Sequence, residues 1–302
     1  MKKTLIILIF SLTAISSFAC DICGCGGGNF YMGLLPRYKS KFIGLRYHYM
    51  DYNTQITGDA TQYSRNYYNT VEMWGGINVG KHWQLLGFVP YHINKEVSDD
   101  GITNHNGIGD VTLLANYQLI HKITTGENKA GVDQQWWIGG GVKLPTGKFN
   151  ADVKDPDITV ADVNAQLGTG SVDFLLNTMY NVRLGKWGIN TTVSYKINTP
   201  KNTYRFGDKF TANSIGYYTI RCKKTTLLPN VGVMYENTAA NVLDKQKVAS
   251  TGGYYATASA GLEASFSKLA IGINAQAPFS ENYADGQTKL QWRGNVHVTF
   301  TL

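Results

Sequence analysis

The chain has 302 residues, of which 43% are hydrophobic and only 16% are charged, and its formal net charge is +7. The positive charges are spread along the chain without a dense basic block, so the sequence lacks the charge footprint of a nucleic-acid-binding protein. Because 33 Gly, 19 Tyr and 6 Trp accompany so few charges, the composition is typical of thin alternating strands bounded by aromatic belts.

The N-terminal residues 1–19 have the pattern of an export signal. Positively charged positions 2–3 precede an apolar stretch at 5–12, and Ala19 is the small residue expected before a cleavage site. Beyond it no segment approaches the ~20 continuous apolar residues of a membrane-spanning helix. We therefore expect export after cleavage before Cys20, and two alternatives stay open there: an ordinary cleavage product and a lipid-modified cysteine.

After a Cys- and Gly-rich periplasmic segment at 20–40, the chain reads as a series of alternating strands. The clearest is the last, in which every second residue from Leu290 to Leu302 is apolar or Gly and the residues between are polar. A period of two with one apolar face is the signature of a β-strand. The predicted strands are 41–50, 67–79, 83–93, 109–120, 135–144, 171–184, 187–197, 209–221, 226–236, 253–266, 269–278 and 290–302.

The connections between these strands predict how the sheet sits in a membrane. Short turns alternate with longer loops, as in outer-membrane barrels with short periplasmic turns and long external loops. The connection at 94–108 is expected to be a polar loop. The connection at 121–133 is longer than a periplasmic turn should be. A soluble β-sandwich, the alternative fold, would not usually run such long strands with aromatic residues at both ends.

The sequence therefore predicts an all-β fold, a transmembrane antiparallel up-and-down β-barrel of about 12 strands over residues 41–302. A closed barrel leaves no sheet edge, which hydrocarbon demands. The predicted location is the cell outer membrane with both termini periplasmic. The expected partners are outer-membrane lipid, the barrel-assembly machinery through the C-terminal strand, and a small-molecule solute.

Three stretches resemble a known family. They are 139–148 (GGGVKLPTGK), 167–173 (LGTGSVD) and 107–111 (GIGDV). They are similar to the outer-membrane transporter-like family of the meta-pathway of phenol degradation, which is loosely related to fatty-acid and aromatic-hydrocarbon channels. The resemblance implies a barrel that passes a small solute of apolar or aromatic character.

Charged residues in the barrel wall should face the lumen, because the lipid face penalises a charge by ~2–4 kcal/mol at mid-depth. They either set solute selectivity or form a salt-bridge ladder that fills the interior, and the sequence leaves both open. We expect a narrow polar lumen gated by the 145–170 loop. The lumen-lining candidates are Arg46, His48, Lys143, Asp173, Arg183, Lys196, Arg221, Arg293 and His297, with Glu236 and Glu263 on the same faces.

The four cysteines indicate an alternative function, the binding or export of a metal ion. Cys20, Cys23 and Cys25 lie in the N-terminal segment, and Cys222 is expected at the periplasmic rim of the barrel. Four soft thiolates would be a sufficient shell for Cu(I) or Zn(II), so the protein could instead bind or export such a metal. Disulfides in an oxidising compartment, or spectator thiols, are the other interpretations. No other cofactor is expected.

An enzymatic role finds little support in the sequence. Some twelve-strand barrels are phospholipases with a Ser-His-Asn set, and candidates for such a set exist here. However, no Gly-x-Ser-x-Gly elbow occurs, and no Ser is paired with a His at an informative spacing. We predict no enzyme, and a non-conducting structural barrel is the last alternative. The Ser and His candidates for a phospholipase-like set are Ser171, Ser194, His48, His92 and His297.

Overall fold

Side chains of successive residues point alternately outward and inward along each strand, and this alternation builds the molecule. In the first strand Ile43 and Leu45 are exposed on the outer face, whereas Phe42 and Arg46 are buried inside. Such a strand needs partners on both edges to satisfy its backbone groups. The computed structural model describes residues 41–55, 63–99, 101–126, 129–150 and 166–302.

Twelve strands make the barrel, and two of them are interrupted. They are β1 (Phe42–Gln55), β2 (Tyr63–Val79), β3 (Trp83–Ser98), β4 (Gly101–Ile108 and Thr112–Gly126), β5 (Lys129–Lys143), β6 (Asp173–Leu184), β7 (Trp187–Ile197), β8 (Lys209–Tyr218 and Ile220–Cys222), β9 (Thr225–Thr238), β10 (Gly253–Phe266), β11 (Leu269–Tyr283) and β12 (Thr288–Thr301).

Each strand pairs antiparallel with its neighbours in sequence, and β1 pairs with β12 to close the sheet, with Phe42 opposite Thr301. The predicted antiparallel barrel of twelve strands is therefore confirmed. We call the end that holds Phe42 and Thr301 the terminal end, and the opposite end the loop end. No helix among the described residues is long and apolar enough to cross a membrane.

The prediction of a polar loop at 94–108 was wrong. Strand β3 continues to Ser98, and Gly101–Ile108 returns beside it, with Ser98 opposite Gly101 and Tyr91 opposite Ile108. Strand pairing depends on backbone hydrogen bonds, which polar side chains do not prevent. At the loop end this hairpin needs no continuous apolar face, so hydrophobic alternation could not reveal it.

The long connection predicted at 121–133 was also wrong. Strand β4 continues to Gly126 and β5 begins at Lys129. The pairing register shifts between Gln118 and Ile120, and such a bulge moves the following side chains to the opposite face. The hydrophobic alternation is therefore interrupted at a point where the strand continues. The connection between β4 and β5 is as short as the other turns of the terminal end.

The interior of the barrel is not uniformly polar, which corrects the expected polar lumen. An apolar cluster occupies the inner face of β1–β6, and a second group with four tyrosines lies among β1, β2 and β9–β12. The apolar cluster consists of Phe42, Trp74, Leu86, Phe88, Leu114, Trp137, Leu175 and Met179. At the loop end, three short paired segments form a small separate sheet: Tyr204–Arg205, Val242–Leu243 and Gln246–Lys247.

Candidate functional site in the barrel lumen

A central cavity lies inside the barrel and is lined by every strand except β10. Its volume is about 90 Å³, well below the ~300–1,000 Å³ of typical small-molecule sites. Its wall includes Glu72, His92 and Arg293. The lumen is therefore largely filled by its own side chains, and a solute must pass close to them.

The charge of Arg46 is balanced inside the wall. Its Nε donates to Oε1 of Glu72 at 2.7 Å, and its guanidinium carbon lies 4.5 Å from the ring centroid of Trp74 and 5.1 Å from that of Phe88. The Nε2 atom of His48 lies 4.0 Å from Oε1 of Glu72. Arg46 thus sits between a carboxylate and two aromatic faces, an arrangement that neutralises a cation away from water.

The three stretches that resemble the known family meet in one buried group, which we call the Lys143 cluster: Asp110, Lys143, Thr169, Ser171 and Asp173. The Nζ atom of Lys143 lies 2.8 Å from Oδ2 of Asp173 and also donates to Asp110 and Thr169. The backbone N–H of Thr169 donates to Asp110 at 2.9 Å. The cluster ties the base of the 144–172 connection to the barrel wall.

Arg293 is the centre of a second polar group beside the central cavity. Its Nε donates to Oε1 of Gln276 at 2.6 Å, and its Nη1 donates to the hydroxyl of Tyr255 at 3.1 Å. Close by in the wall, Nζ of Lys209 lies 2.8 Å from Oε1 of Glu236. These side chains hold one another in fixed positions through charge-assisted hydrogen bonds.

The remaining lumen candidates lie in different environments. Nε2 of His297 is 3.0 Å from Oε2 of Glu263, deep inside the barrel. Arg183 donates to Asp133 at 3.2 Å in a half-buried pair, and Lys196 is half-buried on the wall of the central cavity. Arg221 differs from the others, because it is exposed in the last segment of β8 at the terminal end.

Amide side chains complete the interior opposite the apolar cluster. The buried residues Asn190, Asn230, Asn274 and Asn295 come from β7, β9, β11 and β12, whereas the apolar cluster comes from β1–β6. The apolar cluster also borders the central cavity through Phe88 and Leu175. The apolar cluster is therefore confined to β1–β6, and buried amides accompany the ion pairs on the facing strands.

Sequence reasoning missed the inward apolar residues, although the sequence contains a signal for them. Alternation assigns apolar residues to the lipid and polar residues to the lumen, so two adjacent apolar residues must place one side chain inside. Leu113 is 46% exposed and Leu114 only 3% exposed; Trp136 is 40% exposed and Trp137 only 2%. Such doublets mark the strands that contribute to the apolar cluster.

Of the four cysteines, only Cys222 belongs to the part of the chain that the structure describes. Cys20, Cys23 and Cys25 lie outside the described residues, and Cys222 is exposed as a free thiol at the terminal end. Within the described ranges, no group of three or more His, Cys, Asp or Glu could hold a metal ion. The four-thiol metal site stays a prediction.

Ser171 and His92 have partners in the barrel wall, whereas Ser194 and His48 line the central cavity. Ser171 donates to Asp173 at 2.8 Å. Nδ1 of His92 lies 2.9 Å from the hydroxyl of Thr70. These contacts place both side chains in wall interactions.

Comparison with known proteins shows that the sequence matches a family and that the barrel is similar to a solved structure. The profile of the family described as "Putative MetA-pathway of phenol degradation" matches residues 50–293. A crystal structure of an outer membrane channel from Pseudomonas putida F1 superposes with a TM-score of 0.61 at 16% sequence identity, covering 87% of this chain and 96% of that one. At this identity the likeness concerns the fold.

Other solved barrels are more distant. The β domain of the Bordetella autotransporter BrkA gives a TM-score of 0.49 at 9% identity, covering 87% of this chain and 100% of that one. The translocator domain of the autotransporter NalP from Neisseria meningitidis gives 0.44 at 10% identity, covering 90% of this chain and 91% of that one. No curated protein matches the sequence significantly.

Proposed function

The chain belongs to the MetA-pathway phenol-degradation family of outer-membrane channel-like barrels, and from this premise we propose that it passes a small aromatic or apolar solute through its lumen. The observation that carries the proposal is the apolar cluster inside the barrel. Water-filled porin lumens are polar, whereas here β1–β6 present aromatic and aliphatic side chains inward. Phe88 and Leu175 bring this cluster to the wall of the central cavity, where a solute with an apolar face would meet them.

The charge arrangement supports a preference for uncharged solutes. Arg46 is paired with Glu72, and Lys143 with Asp110 and Asp173, all inside the wall. Moving an ion past buried apolar groups is costly because its hydration is lost. A neutral solute avoids most of that cost and can diffuse along the boundary between the apolar cluster and the amides.

We propose that the 145–170 loop gates this path at the loop end. The Lys143 cluster anchors both described ends of the 144–172 connection, through the bonds of Asp110 to the N–H groups of Gly147 and Thr169. Because Asp110 and Lys143 also line the central cavity, the base of the connection adjoins the proposed path.

The orientation in the membrane follows from the same proposal. Short turns mark the periplasmic side of outer-membrane barrels, so the terminal end, with both chain termini and Cys222, would face the periplasm. Assembly would start from recognition of β12 by the barrel-assembly machinery after export. We propose no catalytic role, because Ser171 bonds to Asp173, His92 bonds to Thr70 and His297 pairs with Glu263.

Solute flux into proteoliposomes of the refolded mature protein tests the proposal. The panel contains phenol, a small sugar and a copper salt, each against a boiled-protein control. We expect phenol flux well above the control and above that of the sugar. Copper flux alone would instead support a metal-exporting barrel, and no flux of any probe would support a non-conducting structural barrel.

A matched pair of variants ties the flux to the apolar cluster. Leu114→Asn places an amide in the cluster, whereas Leu113→Asn places the same amide on the outer face next to it. We expect Leu114→Asn to lower the ratio of phenol flux to sugar flux and Leu113→Asn to leave it unchanged. An equal effect of both variants would contradict a role for the inner surface.

A further inference from the structure

A second cavity, which we call the terminal-end cavity, lies where the turn between β2 and β3 meets β4. The backbone N–H of Gln118 donates to the carbonyl of His82 at 2.8 Å and joins the two elements there. The cavity has a volume of about 660 Å³, within the ~300–1,000 Å³ range of small-molecule sites. Its wall includes Asn78, His82, Trp83, Gln118, Leu119 and Trp137.

Four buried polar atoms on this wall have no hydrogen-bond partner: Nε2 and Oε1 of Gln118, Nε1 of Trp137 and Oδ1 of Asn78. Gln118 and Trp137 are opposite one another in the β4–β5 ladder, and each is only 2% exposed. Buried polar groups are normally satisfied, and leaving one unsatisfied costs free energy. Such atoms also occur elsewhere in the barrel interior, but at this wall they adjoin a space large enough for a ligand that completes them.

The chemistry of these atoms defines what would bind. Gln118 and Trp137 offer two N–H donors, and Gln118 and Asn78 offer two carbonyl acceptors, all uncharged. The indole rings of Trp83 and Trp137 supply flat apolar surface on the same wall. A partner must therefore donate and accept hydrogen bonds without a charge, and it must have a planar apolar part.

We propose that the terminal-end cavity is a binding subsite for a small planar solute with a neutral group that both donates and accepts hydrogen bonds, of the hydroxyl or carboxamide class. This rests on the proposed function, since the solute held here is the one that crosses the lumen. Trp137 belongs to both the apolar cluster and the wall of this cavity, so the subsite adjoins the cluster.

Titration calorimetry of the refolded full chain in detergent micelles tests the subsite, with benzamide as the probe and toluene as a probe of similar shape that lacks the polar group. Gln118→Leu and Trp137→Phe each remove hydrogen-bonding atoms while keeping the bulk of the side chain. We expect each to weaken benzamide binding about 3- to 10-fold, the loss expected for one hydrogen bond, and to leave toluene binding unchanged.

Two control variants come from the same barrel wall. Gln84→Leu removes a buried glutamine, and Trp292→Phe removes an indole N–H from the outer face, both at residues outside the apolar cluster and outside the wall of the terminal-end cavity. Both should bind benzamide as the parent protein does. The heat-dependent gel shift of folded barrels verifies folding, and Asn78→Leu replaces any variant that fails it.

The results separate this proposal from the channel proposal. Unchanged benzamide binding in Gln118→Leu and Trp137→Phe overturns the subsite, as does an equal loss in the control variants or a parallel loss of toluene binding. If the parent protein passes no solute but these two variants lose benzamide affinity, the subsite stands and the channel function fails. If the parent protein passes phenol but the two variants bind benzamide as the parent does, the channel function stands and the subsite fails.

Discussion

At the scale of single residues, the charges inside the barrel show why burial matters more than sequence position. Arg46 is paired with Glu72 in the interior, whereas Arg205 is paired with Asp208 at 3.2 Å with both side chains partly exposed, 35% and 21%. Removing one partner of a buried pair leaves a desolvated charge, whereas exposed pairs contribute little. The two ion pairs should therefore respond differently to mutation.

We predict that Glu72→Gln lowers the free energy of unfolding by about 3 kcal/mol, because the buried Arg46 guanidinium loses its countercharge. The double variant Arg46→Met/Glu72→Gln should recover part of this loss, since no buried charge is left. Urea unfolding of the folded barrel in detergent measures both. Arg205→Met, in the partly exposed pair with Asp208, is the control and should cost at most about 1 kcal/mol; an equal cost for both pairs would refute the argument.

At the scale of elements, the Lys143 cluster explains why three separated stretches of sequence share a family resemblance. Asp110 lies in the break within β4, Lys143 ends β5 and Asp173 begins β6. Each strand end thus supplies a charged group, and the carboxylate of Asp110 also accepts from Gly147 and Thr169 in the connection between β5 and β6. The resemblance therefore reflects a structural anchor beside the central cavity.

Removal of the lysine should release this anchor. We predict that Lys143→Met accelerates amide hydrogen exchange at Gly147 and Thr169 at least about tenfold, because two buried carboxylates then repel one another. Exchange at the β10–β11 turn should not change. The exposed Lys148→Met serves as the control, and slow exchange at Gly147 and Thr169 in Lys143→Met would show that the anchor lies elsewhere.

At the scale of the whole molecule, aromatic side chains mark two levels on the outer surface. Trp187 contacts Tyr218 near the terminal end, with ring centroids 4.7 Å apart, and Tyr49 contacts Trp292 farther toward the loop end at 4.5 Å. Aromatic belts of this kind flank the apolar band of outer-membrane barrels. Between the belts, the outer face of β1 carries Ile43 and Leu45.

The apolar band between the two aromatic belts predicts where the outer surface tolerates a charge. Leu45→Arg lies between the belts and should destabilise the barrel in lipid vesicles by about 2–4 kcal/mol, because the cation meets hydrocarbon. Ile102→Arg, in the hairpin of the loop end, should cost about 0–1 kcal/mol, although both parent side chains are strongly exposed. Equal costs by urea unfolding in vesicles would place the band elsewhere.

The sequence by itself determined the closed all-β fold, because each strand must present one apolar face to lipid and the resulting period of two is visible residue by residue. It also located most inward charges, since lipid excludes them from the other face. Strands β7 and β10 were predicted with the bounds that the structure has. Where a bulge followed Gln118, or where β3 continued to Ser98, the periodicity failed although the backbone pairing did not.

Only the tertiary structure decided what fills the lumen. The apolar cluster, the Lys143 cluster and the terminal-end cavity each combine side chains from strands far apart in sequence, and their contacts depend on closure of the barrel and on the stagger of its strands. Alternation tells which face a residue occupies, but it does not tell which residues meet across the interior. The pairing of Lys143 with Asp110 and Asp173, and the unsatisfied atoms of Gln118 and Trp137, could therefore be found only in the folded molecule.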